Sequence, residues 1–283
     1  MNGYFVDVDG VRTHVIQEGS GSEPVLLLHG GGIDSALLSW KLTIPVLAEN
    51  FTVYAPDFPG YGASSTSPHG MVMQDLINFC LHLMEALQLS RVHLVGLSMG
   101  GGTALGAALA NPGQVKSLTL VDSYGLASKV PMHLLSYWMV KIPVVTDWTY
   151  AWVKRSRSAV RWSLKSILKR PGSITPELVE EVFQDIQTSG GWKAFEILQR
   201  DEIFPNGLKT VFMDRLAELK MPVLIIHGDK DSLVPLSAAR EAARRISTSQ
   251  VFILKGCGHW PGRDAPEEFN RVLLEFLISQ TKE

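Results

Sequence analysis

A serine, an aspartate and a histidine stand in three loops that each follow an apolar run. Ser98 follows the run that begins at Val92 and lies within a Gly-x-Ser-x-Gly motif. A serine on such a strand-to-helix turn is held in a strained conformation that exposes its hydroxyl, and the flanking glycines leave room for the turn. Chance alone produces this motif about 0.1 times in a chain of this length. The motif therefore needs partners elsewhere in the sequence.

Two later loops supply those partners. Asp231 stands in the glycine-rich loop after the apolar run 223–226, and His259 stands in the loop after 251–254. Loops at the carboxyl ends of parallel strands meet at one edge of a sheet. A serine hydroxyl is a weak nucleophile, so a histidine must take its proton and a carboxylate must orient the histidine. The sequence therefore predicts a catalytic triad of Ser98, His259 and Asp231.

Two other aspartates compete for the carboxylate role. Asp229 lies in the same loop as Asp231, but an aspartate at that point of a turn usually bonds to backbone. Asp122 follows the strand after the serine helix and is the more distant alternative. We expect the remaining histidines to be structural or exposed; they are His14, His29, His69, His82, His93, His133 and His227.

Glycines and aromatic residues suggest the rest of the site. The oxyanion of an acyl transfer needs preorganised N–H donors, and the sequence predicts that Met99 supplies one and Gly31 or Gly32 the other. A merely flexible turn is the alternative for the glycines. The residues expected to line the substrate pocket are Leu97, Trp138, Trp192 and Trp260.

The elements that must position these residues follow an α/β pattern. Apolar runs alternate with helical spacing, which predicts a mostly parallel sheet with helices on both faces. The alternation stops after about residue 125 and resumes near 215, so the stretch between is expected to be a helical lid. The predicted organisation is an N-terminal core part (1–125), a lid (126–214) and a C-terminal core part (215–283).

The composition of the chain limits the classes of ligand and cofactor that we expect it to bind. The chain has 283 residues, is 46% hydrophobic and carries a formal charge of −2, which gives no general attraction to nucleic acid. Two cysteines make no disulfide framework or metal cluster, and the glycine-rich stretches lack a P-loop lysine. No leader pattern is visible. We expect a cytoplasmic protein without metal or nucleotide cofactor that acts on a small apolar or aromatic molecule; its oligomeric state is not predicted.

One segment of the lid carries a strong positive charge. Between Trp148 and Pro176 there are seven lysines and arginines and no acidic residue, and apolar residues recur there at helical spacing. A solvated outer face is the ordinary interpretation. Contact with a membrane surface is the alternative.

Taken together, these motifs resemble the α/β-hydrolase superfamily. Cys257-Gly258-His259-Trp260 is similar to the meta-cleavage-product hydrolases, which break carbon–carbon bonds in ring-opened aromatics. That resemblance implies an asparagine before the nucleophile and a lid arginine, but Leu97 takes the first position and no arginine matches. Ser98 disfavours dehalogenases and typical epoxide hydrolases of the same superfamily, which use an aspartate nucleophile at this position. The sequence therefore predicts an esterase first, a carbon–carbon hydrolase second, and a non-enzymatic ligand sensor as a third alternative.

Overall fold

The structure, a computed structural model, describes residues 3–68 and 70–281. His69 therefore lies outside the described residues. The strands are β1 (Gly3–Val8), β2 (Val11–Glu18), β3 (Pro24–Leu28), β4 (Thr52–Pro56), β5 (Val92–Leu97), β6 (Val115–Val121), β7 (Ile203–Phe204), β8 (Gly207–Leu208), β9 (Val223–Gly228) and β10 (Ser249–Leu254).

Helices alternate with the strands in the two core parts and make up most of the stretch between β6 and β9. They are α1 (Ala36–Trp40), α2 (Ile44–Ala48), α3 (Met73–Ala86), α4 (Met99–Ala110), α5 (His133–Lys141), α6 (Pro143–Arg155), α7 (Arg157–Ile167), α8 (Pro176–Thr188), α9 (Gly191–Glu202), α10 (Leu236–Arg245), α11 (Pro261–Asp264) and α12 (Pro266–Ser279), with 3-10 helices at Pro112–Gln114 and Met213–Glu218. Of the helices in residues 3–68 and 70–281, none is long and apolar enough to cross a bilayer.

Eight of the described strands form one sheet in the order β1-β2-β4-β3-β5-β6-β9-β10. The pairs from β4 to β10 are parallel, whereas β1 and β2 add an antiparallel edge. The hairpin between β1 and β2 turns at Asp9 and Gly10, which both have positive φ, as a two-residue turn requires. The predicted mostly parallel sheet is thus confirmed.

Each face of the sheet is covered by helices. Successive residues of β5 point to opposite sides, so Leu94 packs in one core with α3 and α4, while Val95 packs in the other with α1 and α12. A continuous apolar strand is typical of a sheet buried on both faces. The core therefore holds the carboxyl ends of β5, β9 and β10 in fixed positions.

Helices α5 to α9, residues 133–202, lie between β6 and β9, and we call them the helical segment. Residues 126–212 showed no strand pattern, but β7 and β8 pair there as a short antiparallel ribbon. Strands of two residues are too short to show the alternation of apolar and polar residues by which a strand is recognised in a sequence. Between β3 and β4 the chain forms two short helices, α1 and α2, because Pro45 lacks an N–H and can only stand in the first turn of a new helix.

Candidate active site

Ser98 occupies the sharp turn between β5 and α4. Its φ of 52° and ψ of −114° are rare for a residue with a side chain. The N–H of Ser98 donates to the carbonyl of Val121 at 2.9 Å, and its carbonyl accepts from the N–H of Tyr124 at 3.0 Å. The surrounding backbone therefore holds this strained conformation.

The two glycines of the motif permit the turn. A Cβ at Gly96 would lie 2.2 Å from the carbonyl oxygen of Gly100, and a Cβ at Gly100 would lie 2.3 Å from that of Leu28. Both distances are far below any van der Waals contact. The glycines are therefore required by the close approach of strand and helix, as their positions in the sequence indicated.

Asp231 lies beside His259. The Nδ1 of His259 donates to Oδ2 of Asp231 at 2.8 Å, and Oδ1 accepts from the backbone N–H groups of Leu233 and Val234. Burial alone would raise the pKa of Asp231, but the hydrogen bond and charge of His259, together with the two N–H groups, hold it below its usual value. An ionised Asp231 can orient His259 and stabilise its imidazolium form.

Asp229 takes a different position in the same loop. Its Oδ1 accepts from the backbone N–H of Gly256 at 2.6 Å, so it joins the loop after β9 to the loop after β10. The structure therefore places Asp231, and not Asp229, against the histidine. His29 is fully buried, and its Nδ1 donates to the carbonyl of Gly30. Burial lowers the pKa of His29 to about 4, which suits a structural role.

Asp122 and His227 form a buried pair behind Asp231. The Oδ1 of Asp122 lies 3.2 Å from Nδ1 of His227, and both side chains are fully buried. The Nε2 of His227 lies 3.1 Å from the carbonyl of Val234 and must donate to it, so Nδ1 is left as an acceptor. The contact with Asp122 is not a hydrogen bond, since Nδ1 of His227 has no hydrogen-bond partner among the described residues. The side chain of Asp122 instead shares a hydrogen bond with Asp231.

The electrostatic environment favours protonation of Asp122. Burial, together with the negative charge of Asp231, raises the pKa of Asp122 well above its usual value. Burial also lowers the pKa of His227. A neutral Asp122 leaves Asp231 as the charged member of this cluster. The three side chains have ligand atoms within 4.8 Å of one another, a spacing that suits a metal ion, but a proton shared between Asp122 and Asp231 accounts for the approach of the two carboxyl groups without one.

The predicted oxyanion donors lie at the same edge of the sheet. Met99 is the first residue of α4, where a backbone N–H has no partner within the helix. A Cβ at Gly31 would lie 2.4 Å from the ring of Phe195, and Gly32 has a φ of +87°. Glycine is thus needed at both positions. The loop packs against Phe195, which lines the cavity described next.

Ser98 and His259 line one cavity of about 410 Å³. Its floor comes from the sheet loops, and its walls come from α5, α6 and α9 of the helical segment. Most of the lining is apolar. The polar side chains that line it besides Ser98 and His259 are Tyr124, Ser136, Thr146, Thr149, Gln199, Glu202 and Ser232. Within residues 3–68 and 70–281, no lysine or arginine lines this cavity.

Of the four pocket residues predicted from sequence, only Trp192 lines the cavity. Leu97 is buried in the core on the far side of β5, and Trp260 is buried with its ring near Arg263. Trp138 is 60% exposed to solvent. These three side chains therefore lie outside the lining of this cavity, because adjacency to Ser98 or His259 in sequence does not fix the direction in which a side chain points.

Sequence reasoning also missed Glu202 and Tyr124. The hydroxyl of Tyr124 donates to Oε2 of Glu202 at 2.7 Å, and Thr210 donates to both carboxylate oxygens. Glu202 is buried, so these donors compensate for its lost hydration. Tyr124 could have been found as a residue that follows a strand end, but no pattern marks Glu202.

A strained serine at a strand end, with a histidine and an ionised aspartate at neighbouring strand ends, defines a hydrolase built on an α/β sheet. The sequence pattern of the alpha/beta hydrolase fold matches residues 23–266. The chain therefore belongs to the α/β-hydrolase fold family.

Several relatives are named as hydrolases of hydroxy-oxo-dienoic acids. The chain is 30% identical to a 2-hydroxy-6-oxononadienedioate/2-hydroxy-6-oxononatrienedioate hydrolase of Pseudomonas putida over 94% of this chain and 92% of that protein. It is 27% identical to a 2-hydroxy-6-oxo-6-(2'-aminophenyl)hexa-2,4-dienoic acid hydrolase of Metapseudomonas resinovorans, over 96% and 90%. A solved meta-cleavage product hydrolase of Pseudomonas fluorescens superposes with a TM-score of 0.82 at 26% identity, over 98% of both chains.

Proposed function

We propose that this protein is a serine hydrolase that acts on small, largely apolar carbonyl compounds, with Ser98 as nucleophile. The observation that carries the proposal is the conjunction of the strained Ser98 with the His259–Asp231 hydrogen bond at the rim of one cavity. His259 takes the proton of Ser98 as the hydroxyl attacks the carbonyl carbon, and Asp231 stabilises the resulting imidazolium.

Backbone donors stabilise the charge that develops on the carbonyl oxygen. The proposed donors are the N–H of Met99 and that of Gly31 or Gly32. Collapse of the tetrahedral intermediate expels the leaving group, to which His259 returns the proton, and water then releases the acyl group by the same route. The helical segment acts in this proposal as a cap that keeps water from the cavity.

Carbon–carbon hydrolysis of dienoic acids is the reaction we place first. Relatives that align over at least nine-tenths of both chains carry that activity in their names, which reverses the order predicted from sequence. The residue on which that order rested was Leu97. Its side chain is buried in the core and does not line the cavity, so the structure gives it no direct contact with a substrate bound there.

Ester hydrolysis is the second candidate, and one observation favours it. A dienoic acid is an anion at neutral pH, yet no lysine or arginine in the described chain lines the cavity, and the carboxylate Glu202 does. A buried anion without a cation is costly. An uncharged ester avoids that cost.

A paired assay separates these reactions. The purified protein is mixed with 2-hydroxy-6-oxo-6-phenylhexa-2,4-dienoate, whose visible absorbance is lost on cleavage, and in parallel with a nitrophenyl butyrate. Faster turnover of the dienoate supports the first reaction, and turnover of the ester alone supports the second. A fluorophosphonate probe should label the wild type and not Ser98→Ala. Failure to label the wild type would contradict the serine mechanism itself.

A further inference from the structure

The outward face of the helical segment is unusually apolar. On α5, Leu134 and Trp138 are 61% and 60% exposed, and on α6, Val144 and Trp148 are 75% and 70% exposed. Large apolar side chains scattered singly over a surface are ordinary, whereas a contiguous group marks a contact site. These residues lie on two consecutive helices that pack against each other.

Helical spacing places the apolar residues of α6 in a stripe. Val144, Trp148 and Trp152 stand four residues apart, so they share one face of the helix. A helix at the surface of a soluble domain normally turns its polar face outward. In α6 the exposed stripe is instead apolar, and the helix ends at Arg155. The helix therefore turns apolar side chains toward solvent.

The stripe continues onto α7. The rings of Trp152 and Trp162 meet edge to face with centroids 5.6 Å apart, and Trp162 is 64% exposed. Arg161 and Lys165 are exposed beside Trp162 on α7. We call the exposed residues of α5, α6 and α7 together the outer face of the helical segment.

Positive charge borders this outer face. From His133 to Thr175 the chain has eight lysines and arginines and one acidic residue, Asp147. Ion pairs engage Arg157 with Glu180 and Arg170 with Glu268. In the described part of the chain, the cations beside the apolar stripe lack such a carboxylate partner; they are Arg155, Arg161 and Lys165.

We propose that the outer face of the helical segment docks on an anionic lipid surface. Exposed tryptophans with lysines and arginines at their border are the combination that suits the boundary between headgroups and acyl chains. Negative lipid headgroups complement the uncompensated cations. A second copy of this chain would bring the same positive charge against itself, which disfavours the pairing.

The same helices also form walls of the candidate active site. Val140 of α5 and Thr149 of α6 line the cavity that holds Ser98, and Met139 lines it while remaining 47% exposed. A docked protein would therefore present this cavity close to the lipid boundary. Delivery of membrane-partitioned substrate to Ser98 rests on the proposed function, whereas the docking itself does not.

Sedimentation with vesicles tests the docking. The full chain is mixed at low salt with vesicles of phosphatidylcholine and phosphatidylglycerol in equal parts, or of phosphatidylcholine alone. We expect the protein to pellet with the anionic vesicles, to do so less at physiological salt, and to remain largely in solution with the neutral ones. No pelleting with anionic vesicles at low salt would overturn the proposal.

Matched variants assign the binding to the outer face. Val144→Ser/Trp148→Ser removes apolar contact, and Arg161→Glu/Lys165→Glu reverses charge; each should lower the vesicle partition coefficient about tenfold or more. The controls are Leu37→Ser/Leu42→Ser and Arg91→Glu/Lys220→Glu, which make like changes at exposed positions elsewhere and should leave binding unchanged. All of these positions lie outside the cavity lining, so thermal unfolding should change little.

Two further readouts separate the alternatives. Ser98→Ala should bind vesicles like the wild type, so a failure of the hydrolase mechanism and a failure of the docking are distinguishable. If the wild type fails to pellet but elutes as a dimer that Val144→Ser/Trp148→Ser dissociates, the outer face is an interface between copies and the proposal is wrong. Pelleting that both outer-face variants leave unchanged would also overturn it.

Discussion

At the scale of single residues, the least expected finding is that Asp231 has a second carboxyl group behind it. Asp122 emerged from the sequence only as a remote competitor for the acid role. The structure shows it fully buried, bonded to the N–H of Gly228 and in contact with His227. Its raised pKa leaves it neutral, so it supports Asp231 as a positioning residue and does not replace it.

Substitution of Asp122 tests this support. Asp122→Asn keeps a neutral group with both a donor and an acceptor, and should retain kcat/KM within a few-fold. Asp122→Ala removes the donor and leaves the N–H of Gly228 without its acceptor, which should lower kcat/KM about tenfold. Asp122→Ala also removes the hydrogen bond that Asp122 shares with Asp231. Asp231 then attracts the imidazolium of His259 more strongly, so the acid limb of the pH profile should move to higher pH.

The comparison of the two variants carries the test. A purely structural role for Asp122 would lower the melting temperature of Asp122→Ala and leave its pH profile where the wild type has it. An unshifted acid limb in Asp122→Ala would therefore contradict the positioning role. Loss of activity in Asp122→Asn to the level of Asp122→Ala would contradict it as well.

The negative charge of Glu202 leads to a prediction about the charge of the preferred substrate. Its carboxylate lines the cavity near Tyr124, and a negative charge there disfavours an anionic substrate. Glu202→Gln removes the charge and keeps the size. We expect kcat/KM for the dienoate to rise roughly tenfold relative to that for the nitrophenyl ester. An unchanged ratio would show that Glu202 only joins Tyr124 to Thr210.

At the scale of elements, α8 is one of the helices that connect the helical segment to the core. Glu181 on α8 accepts from Arg263 of α11 at 2.9 Å, and Arg263 also donates to the carbonyl of Leu38. Burial lowers the pKa of Arg263, although Glu181 opposes that shift. A buried guanidinium without its carboxylate partner is strongly destabilising.

Two glutamates on α8 provide a matched pair. Glu181→Ala leaves Arg263 unpaired and should lower the free energy of unfolding by about 2 kcal/mol or more. Glu180→Ala, one position earlier, breaks the exposed ion pair with Arg157 and an exposed hydrogen bond from Gln184, and it should change stability little. Thermal unfolding of both variants measures the difference. Equal melting temperatures would mean that α8 does not hold the segment through Arg263.

Asp185, also on α8, makes the stability of the fold depend on pH. Burial raises its pKa to about 7, a shift that a hydrogen bond with Ser35 reduces in part. A carboxyl group whose folded pKa exceeds its unfolded pKa binds more protons in the folded state. Its contribution to stability is therefore present below the unfolded pKa and is lost as the pH rises through about 7. Burial raises the pKa of Asp34 to about 7 as well.

Removal of one of these groups should flatten the pH dependence. Asp185→Asn cannot ionise, so its melting temperature should fall less than that of the wild type between pH 5 and pH 8. The wild type is expected to be the less stable of the two at pH 8. Parallel pH curves for the two proteins would show that Asp185 is not protonated in the folded state.

At the scale of the whole molecule, the sheet and its reactive loops were predictable because their signals are local. Apolar runs, glycine-rich loops and the order of Ser98, Asp231 and His259 along the chain each depend on a few neighbouring residues. The directions of the aromatic side chains were not predictable. Trp192 faces the cavity and Trp138 faces solvent, yet both lie on short helices whose orientation depends on distant packing.

The reaction that we propose first was predictable only in part for the same reason. Leu97 stands beside the nucleophile in sequence, but alternation along β5 turns its side chain away from the cavity. Glu202 approaches the cavity from a helix more than a hundred residues later. Substrate preference therefore depends on contacts between the two parts of the chain that no short motif records.

The division of labour between sheet and helices has an evolutionary consequence. The sheet loops provide the groups proposed to react, whereas α5, α6 and α9 provide most of the walls that a substrate would touch. Mutations confined to those three helices could change the accepted substrate in descendant proteins and leave the reactive groups as they were inherited. Related proteins with this architecture can therefore differ in substrate, from ring-opened acids to esters, while they keep the same reactive residues at the ends of the strands.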